Sequence, residues 1–329
     1  MPLRAGKLSP ELLKQIIARV PALDPRVLVG PAIGQDATVI EVADRYLVVK
    51  TDPITFATDE IGWYVVQVNA NDLACLGAQP LWFMLTTLLP EGCDDSLPET
   101  LAAQVLDACA QRGIAFVGGH TEVTLGLDRP ILCGTMLGEA ARDHLVRPGC
   151  ARRGDVLLLT KGVPLEGAAI IAREKASELP ARGVAPEVIQ RAQAFLHEPG
   201  ISIVREAQMA AQAGARALHD PTEGGLATAV WELCEANALG AQVMREAIPL
   251  LPEARTLCEV YALDPLGTIA SGALLIAVDP VNAGNLQQAI QNAGIQCAVI
   301  GRLVEREKGV MLDDEPMPRF DADEITKLF

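Results

Sequence analysis

Apolar positions along the chain switch repeatedly between helical and strand spacing. Leu12, Leu13, Ile16, Ile17 and Val20 follow Ser9-Pro10-Glu11 on one face and predict a helix that stops before Pro21, with Ser9 as its N-cap. Residues 38–42 and 46–51 are β-branched runs joined at Asp44, a strand pair. Residues 60–76 turn helical, with Ile61, Val65 and Val68 in phase and Gly77 as the closing residue. A strand at 81–89, a helix at 97–112 closed by Gly113, a short buried strand at 114–117, a loop at 118–122 and a strand from 129 to 137 follow.

The polar segment 142–153 interrupts this rhythm and marks a boundary between a domain of residues 1–150 and one of residues 151–329. The second opens with a strand at 156–160. Residues 165–213 read mainly as helices interrupted near Pro180 and Pro199, and 227–236 as a further helix. Strands at 274–278 and 299–304 flank a helix at 281–293. No internal repeat is evident, and the mixed order predicts an α+β (mixed α/β) fold.

Composition narrows the function. Half of the 329 residues are hydrophobic, enough for a large core. Acidic residues outnumber basic ones by 42 to 27, and no Lys/Arg-rich run occurs, which argues against a nucleic-acid or anionic-membrane surface. The first seven residues lack a signal-peptide core and no apolar run is long enough to span a bilayer, so a cytoplasmic protein is expected. The eight cysteines are scattered without C-x-x-C pairs, and the four histidines form no H-x-x-x-H pair. Free thiols are expected, not disulfides or a zinc site.

Against this background the polar residues embedded in apolar stretches stand out. Asp72 lies inside the apolar helix 60–76, Asp36 precedes the first strand of the pair and Asp52 directly follows the second. A carboxylate among apolar residues needs a cation or a donor, and three that converge suit magnesium, which takes a few carboxylates together with waters and phosphate oxygens. The residues alone leave turn or cap aspartates as the other reading. Asn69 and Asp72, three apart, share a helix face.

The loop Gly118-Gly119-His120-Thr121-Glu122 is a candidate ligand contact, or else a tight turn with a hydrogen-bonded histidine. Gly224 and Gly225, in the segment 219–226, sit where free helix N-terminal amides would hold phosphate oxygens, or else where helices pack closely. Lys50 and Lys161 lie near strand ends. Aromatic residues make up only 4% of the chain, which disfavours a sugar-cleaving carboxylate pair.

These motifs, in this order, resemble the aminoimidazole ribonucleotide synthetase (AIR synthase) superfamily along almost the whole chain. That group includes thiamine-monophosphate kinase, selenophosphate synthetase and the hydrogenase maturation protein that dehydrates a carbamoyl thioester. Gly34-Gln-Asp36-Ala, Thr51-Asp52, Asn71-Asp72-Leu with Gly77-Ala-Gln-Pro80, and Gly118-Gly119-His-Thr look like its nucleotide half. His219-Asp-Pro-Thr-Glu-Gly-Gly-Leu-Ala227, with Asp264-Pro-Leu-Gly and Ser271-Gly-Ala-Leu-Leu275, is most similar to the maturation branch.

The resemblance implies a two-domain AIR-synthase-like fold whose N-terminal halves pair around a β-barrel in a homodimer. It implies ATP and Mg2+ as cofactors, with Asp36, Asp52 and Asp72 around the metal. Lys50, Thr51, Asn71, Gly118, Gly119, His120, Thr121, Lys161, Gly224 and Gly225 are nucleotide-side candidates, and Asp220, Thr222 and Glu223 face the reaction. The maturation branch ends in a Pro-Arg-Ile-Cys tail whose thiol carries the carbamoyl group. Here the chain ends Ile325-Thr-Lys-Leu-Phe329, no cysteine follows Cys297, Ala5-Gly6-Lys7 replaces a glycine-rich loop, and Ser271 stands where a glutamate is expected.

The expectation is an ATP- and Mg2+-dependent enzyme that activates a substrate oxygen by phosphoryl transfer, on a small-molecule or protein-thioester substrate. The alternatives are a non-catalytic ATP-binding partner of a maturation protein and a thiamine-monophosphate-kinase-like phosphotransferase.

Overall fold

The computed structural model describes residues 10–21, 24–32, 35–54 and 59–329. The predicted N-cap Ser9, the Ala5-Gly6-Lys7 stretch and Gly34 lie outside them. Helix α1 (Pro10–Ile17) forms as its periodicity predicts, though Ile16 and Val20 on its apolar side remain exposed.

Six strands build the first sheet: β1 (Val27–Val29), β2 (Thr38–Val42), β3 (Arg45–Ile54), β4 (Gln79–Pro90), β5 (Ala115–Thr124) and β6 (Ile131–Ala140). Their order is β1-β2-β3-β6-β4-β5, with only the β4–β5 pair parallel. The predicted strand pair is the β2–β3 hairpin. Asp52, however, lies inside β3, paired with Gly134 of β6, and does not follow the strand.

Helix α2 (Ile61–Ala74) packs on β3 and β6, and α3 (Leu97–Arg112) packs on α2. All of α2 is buried, so its polar residues need internal partners. Gln67 accepts from Arg112 Nε at 3.0 Å, and Asn69 donates to the carbonyls of Asp52 and Val65 at 3.1 and 2.8 Å. The reach from Asn69 depends on Gly134, where a Cβ would stand 2.6 Å from Asn69 Nδ2 and 2.7 Å from the Phe83 ring.

One local prediction fails. Residues 118–122 are not a loop after a buried strand but the middle of β5, an edge strand exposed along most of its length. Strand pairing with β4 overrides the turn signal of the two glycines. Gly119 lies so close to β4 that a Cβ there would run into the Leu85 carbonyl oxygen, so glycine permits the pairing.

The second sheet holds β7 (Val156–Thr160), β8 (Ala217–His219), β9 (Gly240–Val243), β10 (Leu275–Val278), β11 (Cys297–Val304), β12 (Val310–Leu312) and β13 (Glu315–Pro316), in the order β13-β12-β9-β11-β7-β10-β8. The helices are α4 (Leu165–Glu174), α5 (Pro186–Ala194), α6 (Val204–Gln212), α7 (Gly225–Asn237), α8 (Pro252–Val260) and α9 (Pro280–Asn292). A short 3-10 turn at Pro180–Arg182 and a kinked turn at Leu196–Gly200 supply the predicted interruptions.

Both faces of this sheet are covered. Leu157, Leu159, Leu275 and Ala277 join α7 in one core, and Leu158, Ile276 and Val278 join α6 and α9 in another. That is why β7 and β10 read as unbroken apolar runs and not as alternation. α4, α5 and α8 belong to a third core, shared with α2 and the first sheet, which makes the apolar interior continuous between the halves.

Candidate functional site at the junction of the two sheets

The end of β8 meets the loop before β2. His219 is 5% exposed and lies between two carboxylates, with Nδ1 2.9 Å from Asp36 Oδ1 and Nε2 2.9 Å from Glu232 Oε2. Burial works against a charged ring, yet Asp36 and Glu232 outweigh it and hold the imidazole pKa well above its ordinary value. As an imidazolium, His219 donates to both carboxylates and ties the first half to α7.

Beside it, Lys50 of β3 places its Nζ 2.9 Å from Asp72 Oδ2 and 3.7 Å from Asp52 Oδ2. Burial again opposes the charge, but Asp72 and Asp52 prevail and the ammonium pKa is raised. Two carboxylates share this ammonium. Burial raises the pKa of Asp72 to about 7, with Lys50 opposing and Asp52 and Asp36 adding to the rise. Asp220, next in the chain to His219, is pushed well above the ordinary carboxylate range by burial and then by Asp72 and Asp36, and its Oδ2 has no hydrogen-bond partner. Asp36, Asp52, Asp72 and Asp220 therefore crowd a seam to which, among the described residues, Lys50 and His219 bring positive charge.

A narrow, partly open cleft adjoins this seam, bordered by Asp52, Thr222, Glu223, Glu166 and Ser271. Glu166, in the first turn of α4, is 4% exposed, and burial raises its carboxyl pKa to about 7 with Ser271 acting against the rise. Thr222 and Glu223 border this space, close in the chain to the buried Asp220.

Other predicted residues are placed differently. Thr51 lies next to Asp52 and donates from Oγ1 to the Gly134 carbonyl at 2.8 Å. Asn71 donates to the Ile201 carbonyl at 2.8 Å and accepts from the Ile203 amide at 2.9 Å, so its amide is committed to the backbone. Lys161, held at φ +57° and 5% exposed, meets the carbonyls of Gly200 and Ser202 at 3.1 and 2.5 Å and Glu206 at 2.9 Å. These partners match the three donors of its ammonium. Burial lowers its pKa, with Glu206 opposing. Asn71 and Lys161 thus fasten the same short segment, residues 200–203.

The expectation of free amides at the start of α7 does not hold. The Gly224 amide donates to Asp323 Oδ2 at 2.6 Å, Gly225 to Thr222 O at 3.0 Å and Ala227 to Leu266 O at 2.9 Å. A carboxylate of this chain already occupies the anion position at that helix end.

Gly118, Gly119, His120 and Thr121 are not brought to the aspartates either. Asp52, Gly134, Leu85 and Gly119 stand in register on four neighbouring strands, three strand spacings or about 14 Å across. His120 is exposed, with Nε2 3.2 Å from Glu122 Oε2, and Gly119, His120 and Thr121 border a separate open pocket against α3.

Glu166 and Glu232 are the residues that sequence reasoning overlooked. Glu166 carried the signal that singled out Asp72, an acid next to an apolar run, here Gly167 to Ala172. Glu232 had no such signal, because a glutamate on an amphipathic helix is ordinarily solvated.

Among the described residues no group of three His, Cys, Asp or Glu side chains is arranged to hold a metal ion. The donors nevertheless fit a hard divalent cation in kind: carboxylate oxygens, with an orphaned carboxylate oxygen on Asp220. Magnesium typically binds through one or two carboxylates with waters and phosphate oxygens, so a complete protein cage is not needed.

Residues 34–140 match the N-terminal domain of AIR synthase related protein, and residues 152–314 match its C-terminal domain. The chain belongs to the AIR synthase related protein family. Asp36, Asp52 and Asp72 fall in the first matched domain, and Glu166, His219 and Asp220 in the second. A putative hydrogenase expression/formation protein of Methanocaldococcus jannaschii is 27% identical over 94% of this chain and 91% of its own length. Carbamoyl dehydratase HypE of Rhizobium leguminosarum is 29% identical over 82% of this chain and 77% of its own length. The solved hydrogenase maturation protein HypE in complex with ATP shares the fold, with a TM-score of 0.70 and 22% identity over 94% of this chain and 91% of that one. Among the described residues no helix is long and apolar enough to cross a membrane.

Proposed function

We propose that this AIR synthase family member is an ATP- and magnesium-dependent enzyme that activates an oxygen of its acceptor by phosphoryl transfer. The observation that carries the reading is the crowding of Asp36, Asp52, Asp72 and Asp220 at the junction, with an unpartnered carboxylate oxygen on Asp220. Solved HypE with bound ATP, on the same fold, supports a nucleotide as the ligand.

In this reading Asp36, Asp52 and Asp72 would hold magnesium, which would supply positive charge to offset that of the transferring phosphoryl group. Lys50 and His219 keep the carboxylates from repelling one another and set their positions before the ligand arrives. Asp220, buried beside these acids with an unpartnered carboxyl oxygen, faces the same space and orients the groups that enter it. Thr222 and Glu223 line the cavity and orient the acceptor. The occupied amides of Gly224 and Gly225 leave phosphate contacts to side chains and to other strands.

Gly118, Gly119, His120 and Thr121 serve the nucleotide from a second copy of the chain, because within one copy they lie on the far edge of the sheet. The exposed Phe116, Val117 and Val123 of β5 support pairing of the N-terminal halves in a homodimer. Light scattering is expected to give a dimer, and a monomer would contradict this assignment.

The test of the enzyme reading is ADP release with MgATP and candidate acceptors, carbamoylated thiols and thiamine monophosphate among them. One ADP formed per acceptor modified supports it. ATP held without turnover across the acceptor set, in the presence of partner maturation proteins, would replace it with the reading of a nucleotide-binding regulatory partner.

A further inference from the structure

A second polar pocket lies between the halves, apart from the aspartates. The end of α3 brings Gln111 and Arg112 to it, the start of β4 brings Gln79, and α6 brings Arg205 and Gln208. No carboxylate borders this open pocket, in a chain whose acids outnumber its bases by 42 to 27. Arg112 Nε donates to Gln67 Oε1 at 3.0 Å, and its guanidinium stands 6.0 Å from the Trp63 ring. Arg205 Nη1 donates to the Ala293 carbonyl at 3.1 Å. Each guanidinium spends one N–H donor in this way and keeps the others, and among the described residues neither forms an ion pair. Gln208 Nε2 donates to Gln79 Oε1, so the Gln79 amide nitrogen keeps its own donors.

Glu206 acts on Arg112 by charge, but it is buried and held by Lys161 at 2.9 Å. Burial lowers the pKa of Arg112, with Glu206 opposing, as befits a guanidinium whose counter-charge is not in contact with it. α6 begins at Val204, which borders the pocket, so the positive end of its dipole adds to the two arginines. We propose that this pocket binds a tetrahedral dianion, a phosphate or a phosphate monoester, held by Arg112 from the first half and Arg205 from the second, with the Gln79 amide as a further donor. Two monocations balance a dianion, and a guanidinium offers paired N–H groups to two of its oxygens. The bound anion joins α3 to α6 and so fastens the halves to each other. It is an effector there and not a reactant, because none of Asp36, Asp52, Asp72 and Asp220 borders the pocket.

The test is calorimetric titration of the full-length chain with inorganic phosphate and with methyl phosphate at pH 8, where both are doubly charged, and with acetate as a planar monoanion. EDTA is present throughout, so the aspartate seam has no magnesium through which to hold a phosphate. Phosphate is expected to bind, more weakly as NaCl is added, and acetate not. Methyl phosphate binding as tightly as the free ion identifies an ester as the ligand, and binding of the free ion alone identifies inorganic phosphate. Arg205→Gln should weaken phosphate by about tenfold, the loss of one charge-assisted hydrogen bond, with MgATP affinity, measured separately in magnesium, within about twofold of wild type. Arg112→Gln should weaken phosphate by a similar factor; if it does not fold, the exposed Arg205 decides alone. Phosphate that does not bind, acetate that binds as tightly, or an Arg205→Gln chain with wild-type phosphate affinity would overturn the assignment. A wild type that binds MgATP but no phosphate in EDTA overturns this pocket alone, and one that binds phosphate in EDTA but no MgATP overturns the nucleotide reading alone.

Discussion

Glu166 illustrates how a single buried acid shapes both stability and chemistry. Its folded pKa of about 7 lies above the ordinary 4.5. Between those values the folded chain keeps a proton that the unfolded chain has lost, so its contribution is favourable at low pH and fades as pH rises. Glu166→Gln removes this dependence. Relative to wild type, the variant should gain on the order of 2 kcal/mol in going from pH 5 to pH 8, read from urea unfolding at both. A difference that stays constant with pH would show that Glu166 titrates like a surface acid. Asn71 makes the opposite kind of prediction. Its amide satisfies the backbone of Ile201 and Ile203, so Asn71→Ala should cost about 2 kcal/mol in stability and leave the MgATP affinity of the folded fraction within about threefold. A large loss of affinity with stability intact would return Asn71 to the nucleotide. The sequence made Asp72 conspicuous because one charge stood in an apolar helix, whereas Asn71 was singled out only by the motif Asn71-Asp72-Leu. It could not separate an amide that serves a neighbouring loop from a carboxylate that faces a ligand, since that depends on which segment folds against the helix.

At the scale of elements, the long periodic segments were legible and the short ones were not. α2, α3 and β7 lie close to where hydrophobic spacing and closing glycines placed them, because burial on a sheet or between helices enforces that spacing. β8 and β9, of three and four residues, and α8 were absent from the sequence reading, since runs that short gain strand character only from their neighbours in the sheet. β5 failed for a related reason: its edge position removes the apolar alternation that marks a strand, and its glycines imitate a turn. The packing of α2 on the first sheet yields its own prediction. Gly134→Ala would put a methyl group 2.6 Å from Asn69 Nδ2 and 2.7 Å from Phe83, and should cost about 1–3 kcal/mol through overpacking, measured by chemical denaturation. An unchanged midpoint would mean that α2 can lift from the sheet, and that the Asn69 link to Asp52 holds nothing in place.

For the molecule as a whole, the polar seam joins two sheets whose apolar interiors are continuous. α4, α5 and α8 share a core with α2, while His219, Asn71 and Lys161 tie the seam itself. The halves should therefore unfold in one cooperative transition, with near-UV and far-UV signals coinciding, and two separated transitions would contradict a shared core. The sequence showed that two halves exist and that each carries acids in apolar surroundings. That those acids face one another across the junction, and that the amides beside Gly224 are already filled by Asp323, emerges only when distant segments are brought together. The central claim is that this junction holds a magnesium–nucleotide complex through its aspartates. Calorimetric titration of ATP into wild type and Asp72→Asn, with magnesium and with EDTA, tests it most directly. The account predicts binding to wild type that needs magnesium and is weakened at least about tenfold in Asp72→Asn, the loss expected when a ligating carboxylate becomes an amide. Wild type that binds no nucleotide while folded, or equal affinity in the variant and in EDTA, would contradict it.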